Sequence, residues 1–112
     1  MSEEFTQIEK EAIVSVLCVL SKADYRLHDK EHVALEECIA ELGFDSDRFQ
    51  PIPRNQLEKQ AYETLKAMSK KKKRVFSRMM TKIARSDGHF GPLERAFAIE
   101  IMEMCDISFV HR

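Results

Sequence analysis

One stretch near the start of the chain constrains the fold more than any other feature of the sequence. Residues 12–20 are apolar except for Ser15, and apolar residues continue at helical spacing before them. On a helix from about residue 4 to residue 22, they form a very broad apolar face that includes Ile8, Ala12, Ile13, Val16, Leu17, Val19 and Leu20. Such a helix buries its apolar surface only when other elements surround it. The pattern therefore predicts a central, largely buried helix.

Glycine and proline, three of each, occur where further helices should begin or end. A second helix is predicted from about residue 29 to 42, with Gly43 as its C-terminal cap. A third is predicted from about 55 to 68, after the break at 51–53. Ser69 is suited to cap a fourth helix, and Pro92 to open a fifth. No segment alternates with a period of two, so the sequence predicts an all-α fold, a helical bundle of about five to seven helices.

Composition is that of one small globular domain spanning residues 1–112. The chain is 44% hydrophobic and 33% charged, and 112 residues are enough for a single core. The first residues are acidic, and the longest apolar run is too short to span a bilayer, so neither a signal peptide nor a membrane anchor is predicted. Cys18, Cys38 and Cys105 lie far apart among apolar residues. They are interpreted as buried, reduced thiols, which predicts a cytoplasmic protein.

The sequence also contains an internal repeat. With a shift of 63 residues, the segment 22–31 aligns with the segment 85–94. Both follow one frame: a basic residue, a small residue, Asp, two variable residues, an apolar residue, three variable residues and Glu. Each copy lies between two predicted helices. The repeat predicts two helix–turn–helix units, at about 8–44 and 70–107, joined by a connector and the third helix over 45–68.

The acidic positions of this frame are candidates for cation binding. Their spacing matches the last eight positions of a calcium-binding EF-hand loop, but apolar or basic residues occupy the first two ligand positions, so that loop is rejected. If the two repeats face each other, four carboxylates suit calcium, magnesium or manganese: Asp24, Glu31, Asp87 and Glu94. In the alternative interpretation, Lys22 and Arg85 neutralise the aspartates and the glutamates cap helices.

The paired motifs resemble those of a known family. Lys22-Ala23-Asp24 through Glu31, and Arg85-Ser86-Asp87-Gly88 through Glu94, are similar to the repeats of the TerB-like family, named for bacterial tellurite-resistance proteins. The match covers roughly residues 8–107, and Tyr25 occupies the place of a common family glycine. The resemblance implies a compact helical domain with a quasi-twofold repeat and divalent-cation binding at Asp24, Glu31, Asp87 and Glu94. It also implies a link to tellurite or stress resistance.

A run of five cations is the other prominent feature: Lys70, Lys71, Lys72, Lys73 and Arg74. Cations in the first turn of a helix oppose its dipole. Residues 46–86 have a net charge of +9, whereas residues 1–45 have −7 and residues 87–112 have −3. The positive charge of the run can be neutralised by the acidic first third of the chain, an acidic protein, a membrane surface or phosphates. Alternatively, the run is a basic turn that is simply exposed to solvent. Without a flanking aromatic cluster for base stacking, an acidic protein is a better partner than nucleic acid.

Other site types have less support in the sequence. His28 and His32 are spaced to bind zinc on one helix face, but no third strong ligand is evident nearby. No catalytic or cofactor motif occurs, so a non-enzymatic protein is predicted. The sequence thus predicts a binding module, either for a divalent cation or, without a metal, for an acidic partner protein at Lys70–Arg74.

Overall fold

The computed structural model of the protein describes residues 5–21, 33–44, 52–86 and 92–107, which form helices and turns. No strand occurs within these residues, so the predicted all-α class is confirmed. The helices are α1 (Gln7–Ser21), α2 (Val33–Leu42), α3 (Leu57–Gln60), α4 (Tyr62–Lys66), α5 (Lys70–Ser86) and α6 (Pro92–Met104), with a 3-10 turn at Arg54–Gln56. Six α-helices in the described part of the chain agree with the predicted five to seven.

Helix α1 lies at the centre of the molecule. All residues from 12 to 18 are buried, which means that two full turns are covered on every side. The helix packs against α2, α3, α4, α5 and α6. The Cα radius of gyration is 12.5 Å, close to the value of about 13 Å expected for a domain of this length. The predicted central, buried helix is confirmed.

A capping box sets the first residue of α1. The Thr6 N–H donates to Glu9 Oε1 at 2.8 Å, and the Glu9 N–H donates to Thr6 Oγ1 at 3.2 Å. Because these bonds satisfy the free N–H groups of the helix start, α1 begins at Gln7 and not near residue 4. Ile8, predicted to face inward, is 65% exposed, since it lies in this first turn at the edge of the core. That part of the prediction is wrong.

Three other helix boundaries were predicted from single residues and are confirmed. Gly43 has a φ of 67° and follows the last residue of α2. Its N–H donates to the Ala40 carbonyl and that of Phe44 to the Ile39 carbonyl, which is a Schellman motif. Ser69 Oγ accepts a 3.2 Å hydrogen bond from the Lys72 N–H and caps α5. Helix α6 begins at Pro92.

The predicted third helix is not continuous. It is divided into α3 and α4 at Ala61, whose φ and ψ are −127° and −35°. In a straight helix, Tyr62 would lie about 140° around the axis from Leu57, near the edge of the core-facing side. With the break, Leu57, Ala61 and Tyr62 are all buried, and the Tyr62 hydroxyl donates to Glu100 Oε2 at 3.1 Å. The helix is thus interrupted at a fully buried position.

Ser15, the polar residue within the apolar run, connects α1 to the segment before α3. Its side chain is fully buried. The hydroxyl donates to the Glu11 carbonyl at 2.8 Å and accepts the Ile52 N–H at 2.9 Å. A buried N–H needs such a partner, because leaving it without one costs about 1–3 kcal/mol. The serine thus holds the connector against the central helix.

The remaining general predictions concern the cysteines and the membrane. Cys18, Cys38 and Cys105 are buried free thiols, as predicted. Among the described residues, none of the helices has both the length and the apolar character needed to cross a bilayer.

Candidate functional site

The five cations at the start of α5 do not form one uniform surface. Lys70, Lys71 and Arg74 are exposed, whereas Lys72 and Lys73 are half-buried and have partners within the molecule. The Lys73 ammonium donates to the Asp106 carbonyl at 3.3 Å. Only the exposed members of the predicted partner-binding set are therefore presented to another molecule.

Lys72 forms the ion pair that connects the basic segment to the acidic start of the chain. Its Nζ lies 2.8 Å from Glu9 Oε1, and the side chains are only 19% and 14% exposed. The same ammonium lies 5.8 Å from the centroid of the Phe5 ring, within the range of a cation–π contact. Partial burial tends to raise the pKa of Glu9, but hydrogen bonds from Lys72 and Thr6, with the lysine charge, lower it overall. Compensation by the acidic first third, one of the predicted alternatives, occurs at Lys72.

An exposed row of cations continues from the first turn of α5 to its last. We call this row the basic stripe; it consists of Lys71, Arg74, Arg78, Lys82 and Arg85. Successive members are three or four residues apart and therefore lie on one helix face, over a length of about 21 Å. The helix contains eight Lys and Arg residues and no Asp or Glu. Only residues 70–74 are predicted from the sequence as partner-binding, although the helical spacing of Arg78 and Arg85 is also visible there.

One member of the basic stripe has an acidic neighbour on α2. Lys82 Nζ lies 2.8 Å from Glu37 Oε1, with both side chains about half exposed. The hydrogen bond to this carboxylate raises the pKa of Lys82. An exposed pair of this kind exchanges readily with a competing carboxylate, because such pairs contribute only about 0–1 kcal/mol. Lys82 therefore remains accessible to a partner.

A groove lies beside the basic stripe, between α5 and α6. Both helices pack on α1, and the space between them has a volume of about 630 Å³. Met80 and Ala84 of α5 face Ala98, Ile99 and Met102 of α6 across it, so its walls are mainly apolar. Such a volume lies within the range of ligand-binding clefts, about 300–1,000 Å³. The sequence analysis did not identify this groove, because it depends on how two helices are placed on a third.

The four predicted metal ligands lie almost entirely outside the described part of the chain. Asp24, Glu31 and Asp87 are outside the described residues, as are His28 and His32. Glu94 is in the first turn of α6, but its side chain is not described. Among the described side chains, no three His, Cys, Asp or Glu residues gather in one place. The cation site remains a prediction.

Two of the cysteine thiols, Cys38 and Cys105, are expected to be poorly reactive in this fold. Burial raises the pKa of Cys38 to about 11 and that of Cys105 to about 11. Both thiols therefore stay protonated near neutral pH, and the thiolate is the reactive form. The Cys105 thiol also donates to the Tyr62 carbonyl, at 3.7 Å.

No family model, curated protein or solved structure matches the chain. The resemblance of residues 22–31 and 85–94 to the TerB-like family therefore remains a prediction from those motifs.

Proposed function

We propose that this protein is a non-enzymatic binding module whose basic stripe on α5 binds an acidic segment of a partner protein. The observation that carries the proposal is a row of five exposed cations, about 21 Å long, on a helix without a single acidic residue. Three of the five are arginines, whose planar guanidinium groups bind carboxylates through paired hydrogen bonds.

The charges around the basic stripe favour a short acidic peptide over a long polyanion. The whole chain has a net charge of −1 and a pI of about 6.4. Glu37 and Glu41 of α2 are exposed and lie close enough to affect the pKa of Lys82. A nucleic acid duplex extends past the stripe and meets this acidic surface, whereas nucleic-acid-binding domains are usually strongly basic. A peptide that ends with the stripe avoids that repulsion.

The proposal is tested with a fluorescein-labelled poly-glutamate peptide of about 6 residues, which is about as long as the basic stripe when extended. We expect its affinity, measured by fluorescence anisotropy, to fall about tenfold in an Arg74→Gln, Arg78→Gln variant. The matched control is Lys59→Gln with Lys66→Gln, which removes two exposed cations from α3 and α4. This control should change the affinity less than about twofold.

Salt and competition complete the test. Affinity should fall as the salt concentration rises from about 0.05 to 0.5 M, because exposed charge pairs are screened. If the two double variants lose the same amount of affinity, the basic stripe is not the binding site and the proposal is wrong. If duplex DNA or anionic vesicles bind more tightly than the peptide, the partner is a nucleic acid or a membrane and not an acidic protein.

A second candidate function is a TerB-like module that binds calcium, magnesium or manganese at Asp24, Glu31, Asp87 and Glu94. Its support is the position of the motifs relative to the helices. Helix α5 ends at Ser86, immediately before Asp87, and α2 begins at Val33, two residues after Glu31. The four helices that flank the motifs also pack together, through α1 with α2, α5 and α6, and α2 with α5.

The relation between α1 and α5 gives this candidate further support. Glu9 and Lys72, which form the ion pair, are 63 residues apart, the same interval as the shift of the sequence repeat. Contact between equivalent positions is what a quasi-twofold axis near both helices would produce. A role in tellurite or stress resistance follows from the family resemblance only.

A further inference from the structure

The groove between α5 and α6 combines apolar walls with charged residues at its two ends. Ile99 is 49% exposed on one wall, although it is a large apolar side chain. Arg85, in the last turn of α5, and Arg95, in the first turn of α6, line the groove. Glu103, in the last turn of α6, also lines it. Along α6, Arg95 and Glu103 are separated by about 12 Å.

This arrangement matches the common charge pattern of an amphipathic helix. Acidic residues are favourable near a helix start and basic residues near its end, because each complements the helix dipole. A helix lying parallel to α6 would place an acidic start near Arg95 and a basic residue two turns later near Glu103. Its apolar face would meet Ile99 and Met102. Methionine side chains adapt to different apolar partners, and Met80 and Met102 contribute to opposite walls.

The groove is continuous with the basic stripe, because Arg85 belongs to both. We propose that the groove binds one amphipathic helix of a partner protein, parallel to α6, with an acidic first turn at Arg85 and Arg95. This inference rests on the proposed function, since the same partner supplies the acidic residues. It adds the secondary structure of the bound segment, its apolar anchors and its direction.

Three labelled synthetic peptides of one composition, about 16 residues long, test the inference. The acid-first peptide is amphipathic, with Glu in its first turn, Leu at three- and four-residue spacing and Lys in its last turn. The base-first peptide exchanges the Glu and Lys positions, and the scrambled peptide lacks the helical spacing of Leu. We expect the acid-first peptide to bind about tenfold more tightly than the scrambled one, because the scrambled sequence has no continuous apolar helix face to bury.

Variants of exposed residues identify the groove as the binding site. Ile99→Ser should weaken binding of the acid-first peptide about tenfold, whereas Ile8→Ser, an exposed isoleucine on α1, should change it less than twofold. Arg95→Gln should reduce the preference for the acid-first over the base-first peptide, because only Arg85 then remains beside the acidic first turn. Thermal unfolding of each variant shows that its fold is retained, and Arg95→Gln provides a test if Ile99→Ser does not fold.

The outcomes separate this inference from the function on which it rests. If the scrambled and acid-first peptides bind equally and both need Arg74 and Arg78, the basic stripe remains and the groove inference is wrong. If neither poly-glutamate nor any of these peptides binds, the proposed function and the groove inference are both wrong. If decanoate, a small apolar carboxylate, binds and the acid-first peptide does not, the groove is a small-molecule site and the helix is excluded.

Discussion

At the scale of single residues, the ion pair between Glu9 and Lys72 has several roles at once. Glu9 Oε1 accepts both the Thr6 N–H of the capping box and the Lys72 ammonium. One carboxylate therefore stabilises the start of α1 and offsets a cation at the start of α5. The sequence indicates the acidic first third as one source of neutralisation for the basic run, but the identity of the pair depends on how α1 and α5 pack.

A double-mutant cycle with Lys72→Met and Glu9→Gln measures this coupling. Near neutral pH we expect about 1 kcal/mol of coupling free energy of unfolding, because both side chains are mostly covered. The pKa of Glu9 is lowered in the folded state, so its stabilising effect is present above its unfolded pKa. The coupling should disappear as pH falls through the lowered folded pKa. A coupling that persisted in acid would mean that packing, and not charge, joins the two residues.

The buried thiols predict a loss of stability in alkali. In the unfolded chain a cysteine ionises near its usual pKa of about 9, whereas Cys38 and Cys105 in the fold require about 11. A raised folded pKa stabilises the protein at lower pH, and this stabilisation is lost as pH rises from about 9 to about 11. We expect the free energy of unfolding, from urea titrations, to fall less steeply in this range in a Cys38→Ala, Cys105→Ala variant. If the free energy of unfolding falls equally steeply with pH in the wild type and the variant, Cys38 and Cys105 do not cause the loss of stability.

At the scale of elements, helix ends were more predictable than helix continuity. Gly43, Ser69 and Pro92 define helix boundaries through local backbone chemistry, which a sequence displays directly. The division at Ala61 lies at a fully buried position, and no local signal marks it, since alanine is the best helix former. The capping box at Thr6 and Glu9 is also visible in the sequence as a Thr-x-x-Glu motif, which places the start of α1 later than the predicted residue 4.

Gly43 gives a test of the cap of α2. A Cβ at this position meets no atom within 4 Å, so an alanine would be strained by its backbone conformation alone. We expect Gly43→Ala to lower the free energy of unfolding by about 1–2 kcal/mol, the approximate penalty for a left-handed residue. Gly43→Asn should lose less, because asparagine tolerates this conformation. Equal losses in urea denaturation would point to another cause.

For α5, the exposure of some cations could be predicted from the sequence, but the partial burial of the others could not. Arg74, Arg78 and Arg85 are exposed because the opposite face of the helix, with Phe76 and Ile83, is in the core. Helical periodicity suffices for that conclusion. The burial of Lys72 and Lys73 depends on Glu9 and on the Asp106 carbonyl, which are 63 and 33 residues away. Tertiary contacts of this range are not visible in one sequence.

At the scale of the whole molecule, the separated charges of the chain meet at helix interfaces. The acidic first segment is joined to the basic middle segment by Glu9 with Lys72 and by Glu37 with Lys82. These pairs use two of the eight cations of α5, and five of the other six are exposed: Lys70, Lys71, Arg74, Arg78 and Arg85. A charge distribution that looks extreme along the sequence is therefore partly neutralised within the fold.

Addition of cations tests the second candidate function at this scale. Thermal unfolding is measured with EDTA and then with calcium, magnesium, manganese and zinc in turn. If Asp24, Glu31, Asp87 and Glu94 bind a hard cation, the folded state gains about 2.7 kcal/mol at 100 times the dissociation constant. The gain should disappear in Asp87→Ala and remain in Glu58→Ala, which removes an exposed carboxylate of α3. A gain that survives Asp87→Ala would exclude this set of ligands.

The central position of α1 has a consequence for synthesis on the ribosome. Helix α1 is translated before every helix that covers it, and α6 follows more than 70 residues later. At the usual elongation rates of about 5–20 residues per second, the apolar surface of α1 stays partly uncovered for several seconds or more before α6 is translated. Until then the nascent chain displays the most aggregation-prone part of the protein. We therefore expect nascent chains to associate with chaperones until α6 has left the exit tunnel, and chains that end after α5 to aggregate.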